Sequence, residues 1–179
     1  MALGLAGIAY QTVEVSLRAK PPELLAISPK GTVPVMQLPD GTVLEQSLDI
    51  MRWALSQNDP EGWLTVADAD EMNHWIQLCD DTFKPLLDRY KYANRHPELT
   101  MEEHRANALF AFILPLENAL QAKHHKASRA SLADAAMFPF VRQFAAVDQA
   151  WFDAEPLPAL QAWLAHWLAS DLFTAIMKK

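Results

Sequence analysis

The chain has 179 residues, which is enough for one large domain or two small ones, and its formal net charge is −7 at pH 7. That charge argues against a nucleic-acid partner, and the absence of a long apolar run argues against a membrane span. The N-terminus also lacks the pattern of a signal peptide. Cys79 is the only cysteine, so an internal disulfide is excluded and we expect a reducing, cytoplasmic setting.

The first sixty residues predict a small α/β unit. The expected elements are the end of a helix over 1–6, a strand over 12–17, a short helix over 21–27, a hairpin over 33–46 and a helix over 48–56. Gly7 suits the cap of the first helix. That helix has less than two turns, and isolated helices below about 12 residues are marginal in water. We therefore expect the chain to begin partway along an element.

The hairpin carries the first indication of function. Its turn is 39–41, where proline presets the backbone, aspartate bonds back to it and glycine accepts a positive φ. Pro34 stands in the first strand although it cannot donate a hydrogen bond, which suggests an edge, a bulge or a strand start. We expect the Val33–Pro34 peptide bond to be cis, leaving neighbouring backbone groups free to bind something peptide-like.

Beyond residue 60 the pattern becomes helical. The boundaries we expect are an α/β domain over 1–57, a linker over 58–63 and an all-helical domain over 64–179. The predicted helices are 66–93 with a kink at Pro85, 100–123 with a kink at Pro115, 131–146, one that starts at Pro158 and a short one from Asp171. Capping boxes at Thr100–Glu103 and Ser131–Asp134 mark the start of two of them.

The order of these elements, with the segment SPKGTVPVMQLPDGTVLEQS, resembles the glutathione S-transferases, and most closely their bacterial and omega-like branches. Val33-Pro34 is similar to the family's Val–cis-Pro, Gln46-Ser47 to its acidic residue and serine, and Ser131-x-x-Asp134 to the capping box of its helical domain. The resemblance implies an α+β chain, with a thioredoxin-like α/β domain followed by an all-α C-terminal domain. Pro34, Ser131 and Asp134 are then structural residues.

The resemblance also implies glutathione as co-substrate and assigns residues to its binding. Val33 would bond the cysteinyl backbone, Gln46 and Ser47 would hold the γ-glutamyl end, and Lys20 matches a lysine that contacts glutathione in omega-like members. Ser47 can instead be an ordinary helix cap, and Lys20 an ordinary solvated lysine. Gln46 departs from the family's acid, so its bond to an ammonium lacks charge assistance and we expect weaker binding.

The beginning of the chain is the larger departure. The family opens with a strand and a loop that carries the catalytic cysteine, serine or tyrosine, and neither is present here, so the thioredoxin-like domain is expected to be N-terminally truncated and the catalytic residue is unknown. Three explanations remain open: a start further upstream, a sheet completed by another chain or by rearrangement, or a degenerate member. We favour the first. Without the family's first strand, the strand over 12–17 should be disordered or pair elsewhere.

The other candidate functional side chains also have ordinary structural interpretations. Cys79 lies on an apolar helix face with nothing to lower its pKa, so we expect an inert, buried thiol. His104, His124 and His125 suggest a metal only weakly, and no metal is expected. The tryptophans at 75, 163 and 167 can line a pocket for an apolar co-substrate or simply pack the core.

These observations lead to two hypotheses of different class. The first is an enzyme that transfers the thiol of glutathione to an electrophile or reduces a disulfide with it. The second is a non-catalytic glutathione-binding or scaffold protein on the same fold. By resemblance we expect a homodimer with a small-molecule substrate, and from the net charge and the lack of a long apolar run we expect no nucleic-acid or membrane partner. The sequence does not identify the electrophile or disulfide.

Overall fold

The computed structural model describes residues 1–16, 18–124 and 129–178. The chain divides into two compact units, Met1–Leu64 and Thr65–Lys179. The elements of the first unit are α1 (Ala2–Leu5), α2 (Pro22–Ile27), β1 (Met36–Gln37), β2 (Val43–Leu44) and α3 (Ser47–Gln57). Helix α1 packs on α3, and Asn58 Nδ2, just after α3, donates to the carbonyl of Ala6 at 3.1 Å.

The predicted hairpin forms, but its paired strands are short. β1 and β2 are antiparallel, with Met36 opposite Leu44. In the turn, Asp40 Oδ1 accepts from the backbone N–H of Thr42 at 2.9 Å, and Gly41 has a φ of 88°, as the turn chemistry requires. This hairpin leads directly into α3.

The predicted strand over 12–17 is wrong. Within this stretch only one isolated bridge is described, between Ser16 and Ala19, and Leu17 lies outside the described residues. Val13 is 73% exposed. A strand is stable only when a neighbour accepts its hydrogen bonds, and the sheet in the described part of this unit consists of β1 and β2. The described residues of this stretch, 12–16, are therefore not paired with the hairpin. This agrees with the expectation that the stretch does not pair as it does in the family.

The second unit contains eight α-helices in its described residues: α4 (Ala69–Leu78), α5 (Lys84–Lys91), α6 (Met101–Ala108), α7 (Leu114–His124), α8 (Leu132–Val147), α9 (Gln149–Ala154), α10 (Pro158–Ala169) and α11 (Asp171–Met177). The pairs α5–α6, α7–α10 and α4–α8 pack on each other. Over the described ranges, none of the helices combines the length and the apolar character that crossing a membrane requires.

At both positions where kinks are expected, a π-helical segment interrupts the α-helix shortly before the proline. Cys79–Phe83 joins α4 to α5 just before Pro85, and Leu109–Ile113 joins α6 to α7 just before Pro115. Proline lacks an N–H and its ring clashes with the carbonyl four residues earlier. The wider π turn, in which the N–H of Lys84 bonds the carbonyl of Cys79, shifts the hydrogen-bond register ahead of the proline.

Both predicted capping boxes are formed. Thr100 and Glu103 bond reciprocally at the start of α6, and Ser131 and Asp134 do so at the start of α8. Helix α9 was not predicted. Its cap is Asp148, whose side chain accepts from the N–H of Trp151 at 3.1 Å.

Aromatic side chains dominate the core of the helical unit. Phe83 stacks on Phe112 with ring centroids 4.3 Å apart, and Trp75 meets Phe112 edge-on at 5.9 Å. Tyr90, which is 1% exposed, packs against Phe144 at 5.3 Å. Such contacts add to the free energy gained by burying large apolar side chains.

Candidate functional site

The first component of the candidate site is the backbone around Val33. The Val33–Pro34 peptide bond is cis, as the sequence pattern predicted, and Val33 is 44% exposed. In the described part of the chain, neither backbone polar group of Val33 takes part in a backbone–backbone hydrogen bond. These groups are therefore available to an extended, peptide-like ligand, which would pair with them as a neighbouring strand does.

The second component is the N-terminus of α3. Gln46 is the N-cap, with an extended backbone and no side-chain capping bond, and Ser47 is the first helical residue. Both are exposed. The interpretation of Ser47 as the cap itself is thus wrong, because the cap position belongs to Gln46. The first N–H groups of a helix have no intrahelical acceptor, and with the helix dipole they favour a negatively charged group.

Lys20 is the third component. A Cβ added at Gly31 would lie 2.9 Å from the Cδ of Lys20 and 3.2 Å from its Nζ. The lysine side chain therefore lies directly over Gly31, at the start of the segment that leads to Val33. Gly31 is buried and has a φ of 58°, so a side chain there would be both strained and in the way of the lysine.

Glu45 and Ser28 were missed by the sequence analysis. The hydroxyl of Ser28, which is fully buried, donates to Glu45 Oε1 at 2.6 Å, and Lys30 Nζ donates to Glu45 Oε2 at 3.4 Å. The bond from Ser28, and secondly the charge of Lys30, lower the pKa of the Glu45 carboxyl. Because the partners are 17 residues apart, no local sequence pattern could have revealed this contact.

Together these contacts join the segments that carry the predicted binding residues. Lys20 covers Gly31, next to the loop of Val33. Glu45, which directly precedes Gln46 and Ser47, is bonded to Ser28 at the start of that same loop. The first unit therefore holds an accessible backbone segment, an uncapped helix N-terminus and a lysine on connected parts of the chain. A small anionic peptide matches that set of groups.

Cys79 is buried, as predicted, and lies in the π-helical segment between α4 and α5. Burial raises its pKa to about 12. The side chain is consequently a neutral thiol at physiological pH, and a neutral thiol is neither a nucleophile nor a metal ligand of any strength.

The histidines form no metal site in the described residues. His104 is 1% exposed, and its Nε2 lies 2.9 Å from the carbonyl oxygen of His96. His125 and the side chain of His124 lie outside the part of the chain that is described. Within that part, no group of three His, Cys, Asp or Glu side chains is arranged to hold a metal ion.

The tryptophans divide between core packing and a small cleft. Trp163 and Trp167 pack against each other and against Phe138, so they belong to the core. Trp75 lines a cleft together with residues of α4, α7 and α8, but its interior volume of 10 Å³ is about that of one water molecule. That cleft is too small for an apolar co-substrate.

Comparison with protein families identifies both parts of the chain. Residues 1–57 match the model described as glutathione S-transferase, N-terminal domain, and residues 102–166 match glutathione S-transferase, C-terminal domain. A comparison with curated proteins found no match.

Solved structures agree in fold. The glutathione transferase URE2P6 from Phanerochaete chrysosporium, in complex with oxidized glutathione, has a TM-score of 0.81 at 18% identity, over 98% of this chain and 86% of that chain. BphK, a bacterial glutathione transferase in a ternary complex, has a TM-score of 0.75 at 21% identity, over 99% of this chain and 90% of that chain. Gtt2 from Saccharomyces cerevisiae has a TM-score of 0.70 at 22% identity, over 98% of this chain and 92% of that chain.

The expected fold class is confirmed, with a thioredoxin-like α/β domain followed by an all-helical C-terminal domain. Two successive family models, each in its expected half of the chain, and a shared fold over nearly the whole length lead to one conclusion. The chain belongs to the glutathione S-transferase family.

Proposed function

We propose that this protein binds glutathione and either transfers its thiol to an electrophile or reduces a disulfide with it. The observation that carries the proposal is that this family member combines the accessible backbone of Val33 with an uncapped N-terminus at α3. A tripeptide that has an extended backbone and a terminal carboxylate is complementary to both.

Each binding residue has a physical role in this proposal. The backbone of Val33 pairs with the cysteinyl backbone of glutathione. The γ-glutamyl carboxylate lies at the start of α3, where Ser47 adds a hydroxyl donor to the free backbone N–H groups. The side-chain oxygen of Gln46 accepts from the γ-glutamyl ammonium, and Lys20, held over Gly31, supplies a positive charge.

The chemistry requires that the thiol of glutathione be ionised, or that a cysteine form a mixed disulfide with it. Cys79 serves neither purpose, because burial raises its pKa to about 12 and removes its sulfur from solvent. The catalytic residue stays unassigned, and the electrophile or disulfide is equally unassigned.

One observation favours a second candidate function. The only cysteine of the chain is buried, so a cysteine-based mixed-disulfide mechanism has no reactive thiol among these residues. In this alternative the protein binds glutathione without turnover, as a binding or scaffold protein.

Calorimetric titration with glutathione at pH 7, followed by assays with a chlorodinitrobenzene and with a small disulfide, separates these possibilities. Binding with turnover supports the enzyme. Binding without turnover of either substrate supports the second candidate. If there is no heat of binding up to 10 mM ligand, a limit about tenfold above the usual upper range of KM values, both proposals fail.

Gln46→Glu is expected to tighten glutathione binding about fivefold, because a carboxylate adds a negative charge to the acceptor of the ammonium's hydrogen bond, which strengthens the interaction by about 1 kcal/mol. The same titration measures the change in Kd. Gln11→Glu, at an exposed position outside the regular elements, adds the same charge as a matched control. Equal or weaker binding by Gln46→Glu would contradict the assigned position of the ammonium.

We further propose that the protein is a cytoplasmic homodimer, in which the small domain of one protomer meets the helical domain of its partner through α3 and the helices over 66–93. Sedimentation at micromolar concentration should give a mass near 40 kDa, about twice the 20.1 kDa of the chain. A single species at the monomer mass would count against the dimer.

A further inference from the structure

The contact between Ser28 and Glu45 joins a buried hydroxyl to a charged carboxylate from a distant part of the first unit. Ser28 is fully buried, whereas the Glu45 side chain is 30% exposed. The 2.6 Å bond between them is a charge-assisted hydrogen bond, which is about twice as strong as a neutral one. The ion pair with Lys30 is longer, at 3.4 Å, and the lysine is 65% exposed, so it adds little.

On the Ser28 side, this bond holds the turn that leads to Val33. Ser28 ends α2, its N–H bonds the carbonyl of Leu24, and its own carbonyl accepts from Gly31 at 2.8 Å. The serine thus fixes the backbone between α2 and Gly31, over which Lys20 lies. Two residues beyond Gly31 comes the accessible backbone of Val33.

On the Glu45 side, the bond holds the entrance of α3. Glu45 follows the last residue of β2 and directly precedes the N-cap Gln46. No side-chain bond caps this helix end. Through its bond to Ser28, the Glu45 carboxylate directly links the start of α3 to the segment that carries Val33. Both carboxylate oxygens are already engaged, one by Ser28 and one by Lys30.

We propose that Glu45 and Ser28 are positioning residues of the glutathione site, which fix the loop of Val33 against the start of α3 without contacting the ligand. This inference rests on the proposed function. A tripeptide that binds both segments at once requires a fixed spacing between them, and the affinity falls when binding must first order them.

The test is titration of glutathione into the full chain and into Ser28→Ala, Glu45→Ala, Glu45→Gln and the double alanine variant. Each single alanine variant should weaken binding at least fivefold. The double variant should be no weaker than the singles, because both remove the same bond. Glu45→Gln keeps an oxygen that accepts from Ser28 and should bind within twofold of the parent protein. Glu14→Ala, at an exposed position, is the matched control for loss of a carboxylate.

A second measurement needs no ligand. Amide hydrogen exchange at Gly31, whose N–H bonds Ser28, should be at least tenfold faster in Ser28→Ala and unchanged in Glu14→Ala. If Glu45→Ala does not fold, Ser28→Ala and Glu45→Gln decide the question in its place. Parent-like affinity in folded Ser28→Ala overturns the positioning role and leaves the proposed function standing. If the parent protein does not bind glutathione at all, both are overturned.

Discussion

Glu117→Ala is expected to lower the free energy of unfolding by about 3–5 kcal/mol. Glu117 is 3% exposed, and its carboxylate accepts from the backbone N–H of Ala159 at 3.1 Å and of Leu160 at 2.7 Å. Those two groups belong to the first turn of α10. Glu117, on α7, thus caps a helix that lies 42 residues further along the chain.

The size of the effect follows from what alanine leaves behind. Helix α10 has no cap of its own, since its N-cap Leu157 makes no side-chain bond. Leu160 is fully buried and Ala159 is 5% exposed, so water cannot replace the lost carboxylate. Each orphaned N–H costs about 1–3 kcal/mol, and the interaction of the carboxylate with the helix dipole is lost as well.

Urea unfolding followed by far-ultraviolet circular dichroism measures the loss. The free energy of unfolding of Glu117→Gln should lie between those of the alanine variant and the parent protein, because the single carbonyl oxygen of glutamine accepts from only one of the two N–H groups. Glu102→Ala, at an exposed position of α6, should cost less than about 1 kcal/mol. If the free energy of unfolding of Glu117→Ala lies within 1 kcal/mol of that of the parent protein, the cap does not have the role assigned to it.

The sequence predicts the helical elements best where a local signal, such as a capping box or a proline, marks the boundary. The capping boxes at Thr100 and Ser131 place the starts of α6 and α8 at the right residue, because a box is complete within four residues. Pro85 and Pro115 correctly indicate a break. The form of that break, a π-helical segment, depends on packing around the turn and was not predicted.

Features that depend on distant partners, or that are very short, were missed or wrongly predicted. The strand over 12–17 has a clear alternation, but alternation describes one face of a strand and says nothing about whether a neighbour exists. Helix α9 is only six residues long, too short for its period to be recognised. Glu117 looks like any helical glutamate, because its two partners lie more than 40 residues away.

The candidate site follows the same division. Pro34 is visible in the sequence because proline is unexpected in a strand, and the start of α3 is visible because Ser47 and Asp49 are typical of a first helical turn. The link between those two parts through Ser28 and Glu45 is tertiary, as is the position of Lys20 over Gly31. Only the three-dimensional structure shows how the predicted residues are joined.

Asp134→Ala is expected to lower the free energy of unfolding by about 2–4 kcal/mol, which is more than an ordinary capping box contributes. Asp134 Oδ2 accepts from the backbone N–H of Ser131 at 2.8 Å and from its hydroxyl at 2.5 Å. Its other oxygen accepts from the indole N–H of Trp163 at 3.1 Å. The carboxylate therefore joins the start of α8 to α10 as well as capping its own helix.

The chain contains its own control for this prediction, since the box at Thr100 and Glu103 has the same reciprocal bonds, at 2.8 and 3.2 Å, in an exposed setting. Glu103→Ala should cost about 1 kcal/mol, because water replaces the lost acceptor. Ser131 is 2% exposed, so in Asp134→Ala water replaces the acceptor of its N–H less well than it does at Thr100, and the Trp163 bond is lost too. Urea unfolding of both variants gives the difference. Equal losses would mean that burial and the link to Trp163 add nothing to the cap.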